Sequence, residues 1–94
     1  MADRPNVIYL HSHDTGRHVR PYGHAVPTPA IQQLAEEGVL FRRAFATAAT
    51  CSGSRAALVT GQYPHVNGMT GLAHRGWELN DNRRHLVHTL RRAG

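Results

Sequence analysis

A chain of 94 residues is at most one small domain, and with 40% hydrophobic and 6% aromatic residues it has few large anchors for a core. Its 11 basic residues are all arginine and face 6 carboxylates, a formal charge of +5 that favours anionic ligands. The arginines are dispersed rather than gathered in one run, and no nucleic-acid-binding motif accompanies them, which argues against a nucleic-acid partner.

The single cysteine excludes an internal disulfide. The opening Met1-Ala2-Asp3-Arg4-Pro5 lacks the apolar run of a secretory signal, and no later run is long enough to span a membrane. A cytoplasmic location without membrane attachment is the resulting expectation.

Asn6-Val7-Ile8-Tyr9-Leu10 is a short apolar run with β-branched and aromatic residues, which predicts a strand buried on both faces as in a parallel sheet. It leads into His11-Ser12-His13-Asp14-Thr15-Gly16-Arg17, and in open α/β sheets ligands bind in the crevice beyond the carboxyl ends of strands. His13 and Asp14 set an imidazole beside a carboxylate, with His11 one pleat away on the side of His13. From the residues alone, His11 and His13 either contribute to a site or simply hydrogen-bond loop backbone.

His18 to Pro27 reads as a loop, since Pro21 and Pro27 stop any helix. Thr28 then caps a helix with Pro29 at its first position; Ile31, Leu34 and Ala35 form an apolar stripe, and Gly38 ends it. This predicts a packing helix laid against the sheet. Val39-Leu40-Phe41 and Ala44-Phe45 flank Arg42-Arg43 and predict a second extended segment, with the two arginines either solvated or close to substrate.

Cys51-Ser52-Gly53-Ser54-Arg55-Ala56-Ala57-Leu58-Val59-Thr60-Gly61 predicts a short helix with the cysteine at its mouth. Ser52 or Cys51 serves as cap, Ala56, Ala57 and Leu58 favour the helix, and Gly61 suits its left-handed end. Free N–H groups and the dipole at that end favour anions, and Arg55 one turn along can reach over the same spot. A nucleophile that faces an oxyanion needs such surroundings. Further on, Leu86, Val87 and Leu90 share a face of a last helix, with Arg91-Arg92 in its final turn and Gly94 as its end.

These residues also carry a family resemblance. Cys51-Ser52-Gly53-Ser54-Arg55 followed by Leu58-Val59-Thr60-Gly61 resembles the signature of type I sulfatases, Cys-x-Pro/Ala-x-Arg with a Leu-x-Thr-Gly shortly after. Gly61-Gln62-Tyr63-Pro64-His65-Val66-Asn67-Gly68-Met69 resembles the segment that follows it, as does the Thr28-to-Gly38 pattern the helix that precedes it. Gly71-Leu72-Ala73-His74 is similar to the branch that includes sulfamidases and related bacterial sulfatases. No chemical role is assigned to His65 or His74.

The resemblance implies an α/β fold: residues 1–94 correspond to the N-terminal part of an alkaline-phosphatase-like sulfatase domain, a mostly parallel sheet flanked by helices, incomplete over this length. It implies hydrolysis of a sulfate ester or sulfamate on a sulfated small molecule or sugar. In the family the cysteine is oxidised to formylglycine by a formylglycine-generating enzyme, so Cys51 would be the precursor of the nucleophile and Arg55 would steady it. Gly53 stands where that enzyme reads Pro or Ala, which predicts partial conversion.

The strand end of the family, Asp-Asp-x-Gly, binds a divalent cation, generally calcium. Here it reads His13-Asp14-Thr15-Gly16, so the resemblance makes Asp14 a metal ligand, with His13 a ligand or a neighbour of one, and modified Cys51 facing the same ion. Three other readings stay open: a noncatalytic sulfatase-like remnant that binds anions, a phosphoryl-transfer relative of the same superfamily, and a small basic interaction module.

Overall fold

The computed structural model describes residues 4–94, and the chain divides into two compact units, Met1–Arg43 and Ala44–Gly94. Among the described residues the helices are α1 (Pro29–Glu37), α2 (Cys51–Thr60), α3 (Pro64–Asn67) and α4 (Leu86–Ala93). Short 3-10 turns occur at Arg20–Tyr22, Ala73–Arg75 and Asn82–Arg84. None of these helices is long and apolar enough to cross a membrane.

No strand forms among the described residues, so neither extended segment expected from the sequence is paired into a sheet here. Residues 6–10 make no ladder, and Val7, Ile8 and Leu10 are 88%, 89% and 88% exposed. The second segment is interrupted by a turn at Arg42-Arg43. The reason is physical: strand hydrogen bonds lie between neighbouring segments, so an apolar run becomes a strand only when a second one lies beside it. Propensity alone does not supply that neighbour.

In the first unit, α1 begins as the sequence predicts, with Pro29 pre-setting the helical φ and Thr28 at the cap position. The Thr28 hydroxyl does not cap its own helix; it accepts a hydrogen bond from the Arg20 N–H at 3.1 Å and so ties the Arg20–Tyr22 turn to α1. Val19, just before that turn, and Pro21, within it, are buried. Tyr22 adds a bond from its hydroxyl to the Phe41 carbonyl, 2.9 Å, which holds the end of the unit against the same turn. The stripe of α1 has no sheet to cover: Leu34 is 65% exposed and Ile31 is exposed too, so the expected packing role is not performed within these residues.

The second unit is built on α2. Ala56 and Ala57, each 6% exposed, together with Gly53 form a small-residue face, and α3 and α4 pack on this helix. Small side chains let neighbouring backbones approach closely, but they bury little area, so polar contacts must contribute much of the cohesion. Asn67, 3% exposed, makes the central ones. Its amide donates to the Thr60 hydroxyl (3.3 Å) and the Gln62 carbonyl (3.0 Å), its side-chain oxygen accepts from the Met69 N–H (2.9 Å), and its own carbonyl accepts from the Asn80 N–H (2.8 Å). Gly68 follows with φ +91, and a Cβ there would overlap the Asn80 side chain.

The turn before α4 is held by Asp81, whose carboxylate accepts from the Arg83 backbone N–H (3.0 Å) and from its guanidinium (2.9 Å). The side-chain bond from Arg83 holds the Asp81 carboxyl below the usual carboxylate range. That contribution is present above the ordinary carboxylate range and is lost as pH falls through the depressed value. His85 caps α4, with its Nδ1 accepting from the Val87 N–H at 3.1 Å.

Asn67→Ala should cost about 2 kcal/mol, since it leaves buried donors and acceptors unpaired. Asn67→Asp should cost a similar amount, because a carboxylate oxygen replaces the amide that donates to the Gln62 carbonyl. Amide exchange separates the two: protection of the Met69 N–H should fall in the alanine variant and persist in the aspartate one.

Candidate active site

Cys51 is the first residue of α2, and its thiol is free and exposed. The preceding Thr50 is extended, with φ −102 and ψ 147, so the chain enters the helix sharply at the cysteine. Cys51 or Ser52 was the expected cap; the cap position is instead Thr50, and no side chain bonds there to the helix N–H groups. The Ser54 N–H to Thr50 carbonyl bond, 3.0 Å, is the first of the helix, so the N–H groups of Cys51, Ser52 and Gly53 have no intrahelical acceptor. The far end is as expected: Gly61 has φ +67, and its N–H bonds to the Ala57 carbonyl at 2.8 Å.

Ser52 has a different role. Its Oγ accepts from the Ala73 N–H at 3.0 Å, which fastens the Leu72–Arg75 turn, with His74 and Arg75, to the start of α2. The sequence reading missed this contact, because its two ends are 21 residues apart. Behind Cys51, Gly53 is buried, and a Cβ built on it would lie 3.1 Å from Ala48 Cβ, Met69 O and Thr50 Oγ1. Glycine therefore allows the segment after α3 to close over the first turn. Trp77 folds across Gly71, where a Cβ would overlap its indole.

Arg55 is exposed one turn beyond Cys51, and no ion pair engages it among the described residues. A cationic fork near free helix N–H groups suits an anion that approaches the Cys51 side chain. Tyr63 and His65 stack nearby in sequence, with ring centroids 5.7 Å apart, and this gives His65 a packing role.

His13 and Asp14 lie in the first unit, apart in the chain from Cys51 and Arg55 in the second. The His13 Nδ1 is 3.3 Å from the Asp14 carboxylate, with side chains 57% and 85% exposed. Asp14 has φ +54, left-handed for a residue with a Cβ, and Gly16 follows at φ +58. His11 instead pairs with the Tyr9 hydroxyl at 3.0 Å. Among the described residues no three His, Cys, Asp or Glu are grouped as metal ligands. One carboxylate and one imidazole fall short of the six to eight oxygens that calcium takes, so the donors present do not by themselves hold that ion.

The sequence matches the family profile described as Sulfatase over residues 5–94. The chain belongs to the sulfatase family. An N-acetylgalactosamine-6-O-sulfatase of Bacteroides thetaiotaomicron is 42% identical over 80 residues, 83% of this chain and 16% of that protein. An ulvan-active sulfatase of Formosa agariphila is 40% identical over 65 residues, 68% of this chain and 11% of the relative. The N-sulphoglucosamine sulphohydrolase of Homo sapiens is 43% identical over 68 residues, 71% of this chain and 14% of the relative. This sulfatase chain thus spans between 11% and 16% of the length of these curated relatives. No solved structure matches it.

Family membership implies the alkaline-phosphatase-like α/β fold and, in general, a formylglycine and a divalent cation. The segment that resembles the sulfatase signature coincides with α2, with Cys51 in its first turn. Replacing Gly53 by Ala should change stability by less than about 1 kcal/mol, since a helix gain of that order is offset by three tight contacts. Gly53→Leu should lower stability by about 1–3 kcal/mol through overpacking. Urea unfolding followed by circular dichroism measures both.

Proposed function

We propose that this chain carries the nucleophile segment of a hydrolase of sulfate esters or sulfamates, acting on a sulfated small molecule or sugar. The observation that carries the reading is the exposed thiol of Cys51 at the first residue of α2, with Arg55 one turn on, in a member of the sulfatase family. The exposed thiol is open to a formylglycine-generating enzyme.

After oxidation and hydration, the residue at 51 would offer two hydroxyls. One attacks sulfur, the bond from sulfur to the leaving oxygen or nitrogen breaks, and the leaving group takes a proton. Loss of the proton from the second hydroxyl then expels sulfate and restores the aldehyde, so that water is the only other reactant consumed. The free N–H groups of the first turn and the Arg55 guanidinium would stabilise the negative charge that gathers around Cys51. An unmodified thiol has no second hydroxyl and would stop at the sulfated stage.

Asp14, with His13 beside it, is the share of a divalent-cation site that this chain would contribute, and calcium suits its carboxylate. The left-handed backbone at Asp14 supports a functional rather than a packing role, since such strain concentrates at sites. Residues 6–10, apolar and uncovered, would be a strand of a mostly parallel sheet completed by further segments. With two donors and no third ligand grouped with them among the described residues, the 94-residue chain alone is expected to show no turnover.

Within a full-length polypeptide expressed alongside a formylglycine-generating enzyme, mass spectrometry of the Cys51 peptide should show partial conversion, raised by Gly53→Ala. Hydrolysis of an aryl sulfate should follow the converted fraction and vanish in Cys51→Ala. Conversion without sulfate hydrolysis but with aryl phosphate hydrolysis would favour the phosphoryl-transfer relative. Neither conversion nor turnover would leave the anion-binding remnant.

Asp14→Asn should weaken divalent-cation binding, measured by calorimetry on the same full-length protein, by about tenfold or more, as loss of one charged ligand would. His13→Ala should cost less. An unchanged affinity in Asp14→Asn would remove Asp14 from the metal site.

A further inference from the structure

The arginines that the sequence disperses are partly gathered by the fold of the first unit. Arg17 lies over the Tyr22 ring, 5.4 Å from its centroid, and Arg20 and Arg42 line an open cavity of about 500 Å³ beside the same tyrosine. His24 and Gln32 complete its polar wall, and no carboxylate lines it. Among the described residues no ion pair engages Arg20 or Arg42. Glu36 accepts from the Gln32 amide at 2.7 Å and lies on a neighbouring cavity that shares Arg20 and Gln32.

The wall is built rather than incidental. The Arg20 backbone is pinned by Thr28, and Tyr22 is pinned to the Phe41 carbonyl, which brings Arg42 to the same side. Gly23, at φ +92 with open space where a Cβ would be, turns the chain so that His24 follows Tyr22 around the rim. The volume is in the range of small-molecule sites, and two guanidinium groups without carboxylates suit an oxyanion, which each can bind through paired N–H groups.

We propose that this cavity, between the Arg20–Tyr22 turn, Gln32 and Arg42, binds a sulfate group carried on a saccharide. The saccharide class rests on the proposed sulfatase reading; the oxyanion site rests on the cavity alone. A sulfated glycan carries more than one anionic group, so a second recognition point for such a group would sort substrates by charge pattern.

The test is an amide chemical-shift titration of the full chain carrying Cys51→Ala, in which no hydrolysis can occur. A binding failure and a catalytic failure are therefore read separately. A monosaccharide sulfate should shift the Gly23, His24 and Ala25 amides, whereas its unsulfated parent should not. Arg20→Gln and Arg42→Gln should each weaken binding about tenfold or more, the scale of one charged hydrogen-bonding group. Arg42→Lys should weaken it less, and Arg91→Gln should leave it unchanged. An unshifted Gly23–Ala25 segment, equal weakening by Arg91→Gln, or equal binding of the parent sugar would overturn the site. Inorganic sulfate or glucuronate binding as tightly as the sugar sulfate, or a single-stranded oligonucleotide binding more tightly, would overturn the assigned ligand.

Discussion

The second unit depends on one buried amide. Asn67 joins the end of α2, through Thr60 and Gln62, to the segment that begins at Met69, and its backbone carbonyl secures Asn80. With Ala56 and Ala57 as its buried apolar side chains, this unit has little hydrophobic area to exploit. A fully satisfied polar cluster then supplies direction as well as energy, since each bond needs its partner in one place. Once Met69 is placed, the chain after it runs back over Gly53 at the opposite end of the same helix.

That return path explains how the surroundings of Cys51 are made. The Met69 carbonyl closes on Gly53, and the Ala73 N–H reaches Ser52, so two consecutive residues of the signature hold the overlying segment while the cysteine beside them stays open. Glycine in the third helical position sacrifices helix propensity, about 1 kcal/mol relative to alanine, and gains a close backbone approach. Gly53 therefore fits a position where Ala48, Thr50 and the Met69 carbonyl all press close.

In the first unit, charge and apolar surface are arranged differently. Tyr22 collects Arg17 and the Arg20–Arg42 cavity around one ring, so an electrostatic feature arises from positions 17 to 42 that no local run reveals. The apolar segment 6–10 and the stripe of α1 remain uncovered, consistent with a family fold in which a sheet lies between helices. Val7, Ile8, Phe41 and Leu90 are exposed and Leu40 is half-buried, as apolar residues without a covering layer would be.

What the sequence determined by itself is local. Pro29 starts α1, Ala56 and Ala57 sustain α2, Gly61 ends it, and Arg91-Arg92 close α4, because helix bonds join residues four apart and their caps lie within a turn. The signature around Cys51 and Arg55 was legible for the same reason: its residues share one helix. Tertiary structure decided the rest. It made Thr50 the cap and freed Ser52 for Ala73, buried Asn67, and drew Arg42 to Arg20. It also left residues 6–10 without a ladder. Each of these turns on a contact with a residue remote in sequence, and a strand, a buried polar cluster or a charged cavity exists only when that remote segment arrives.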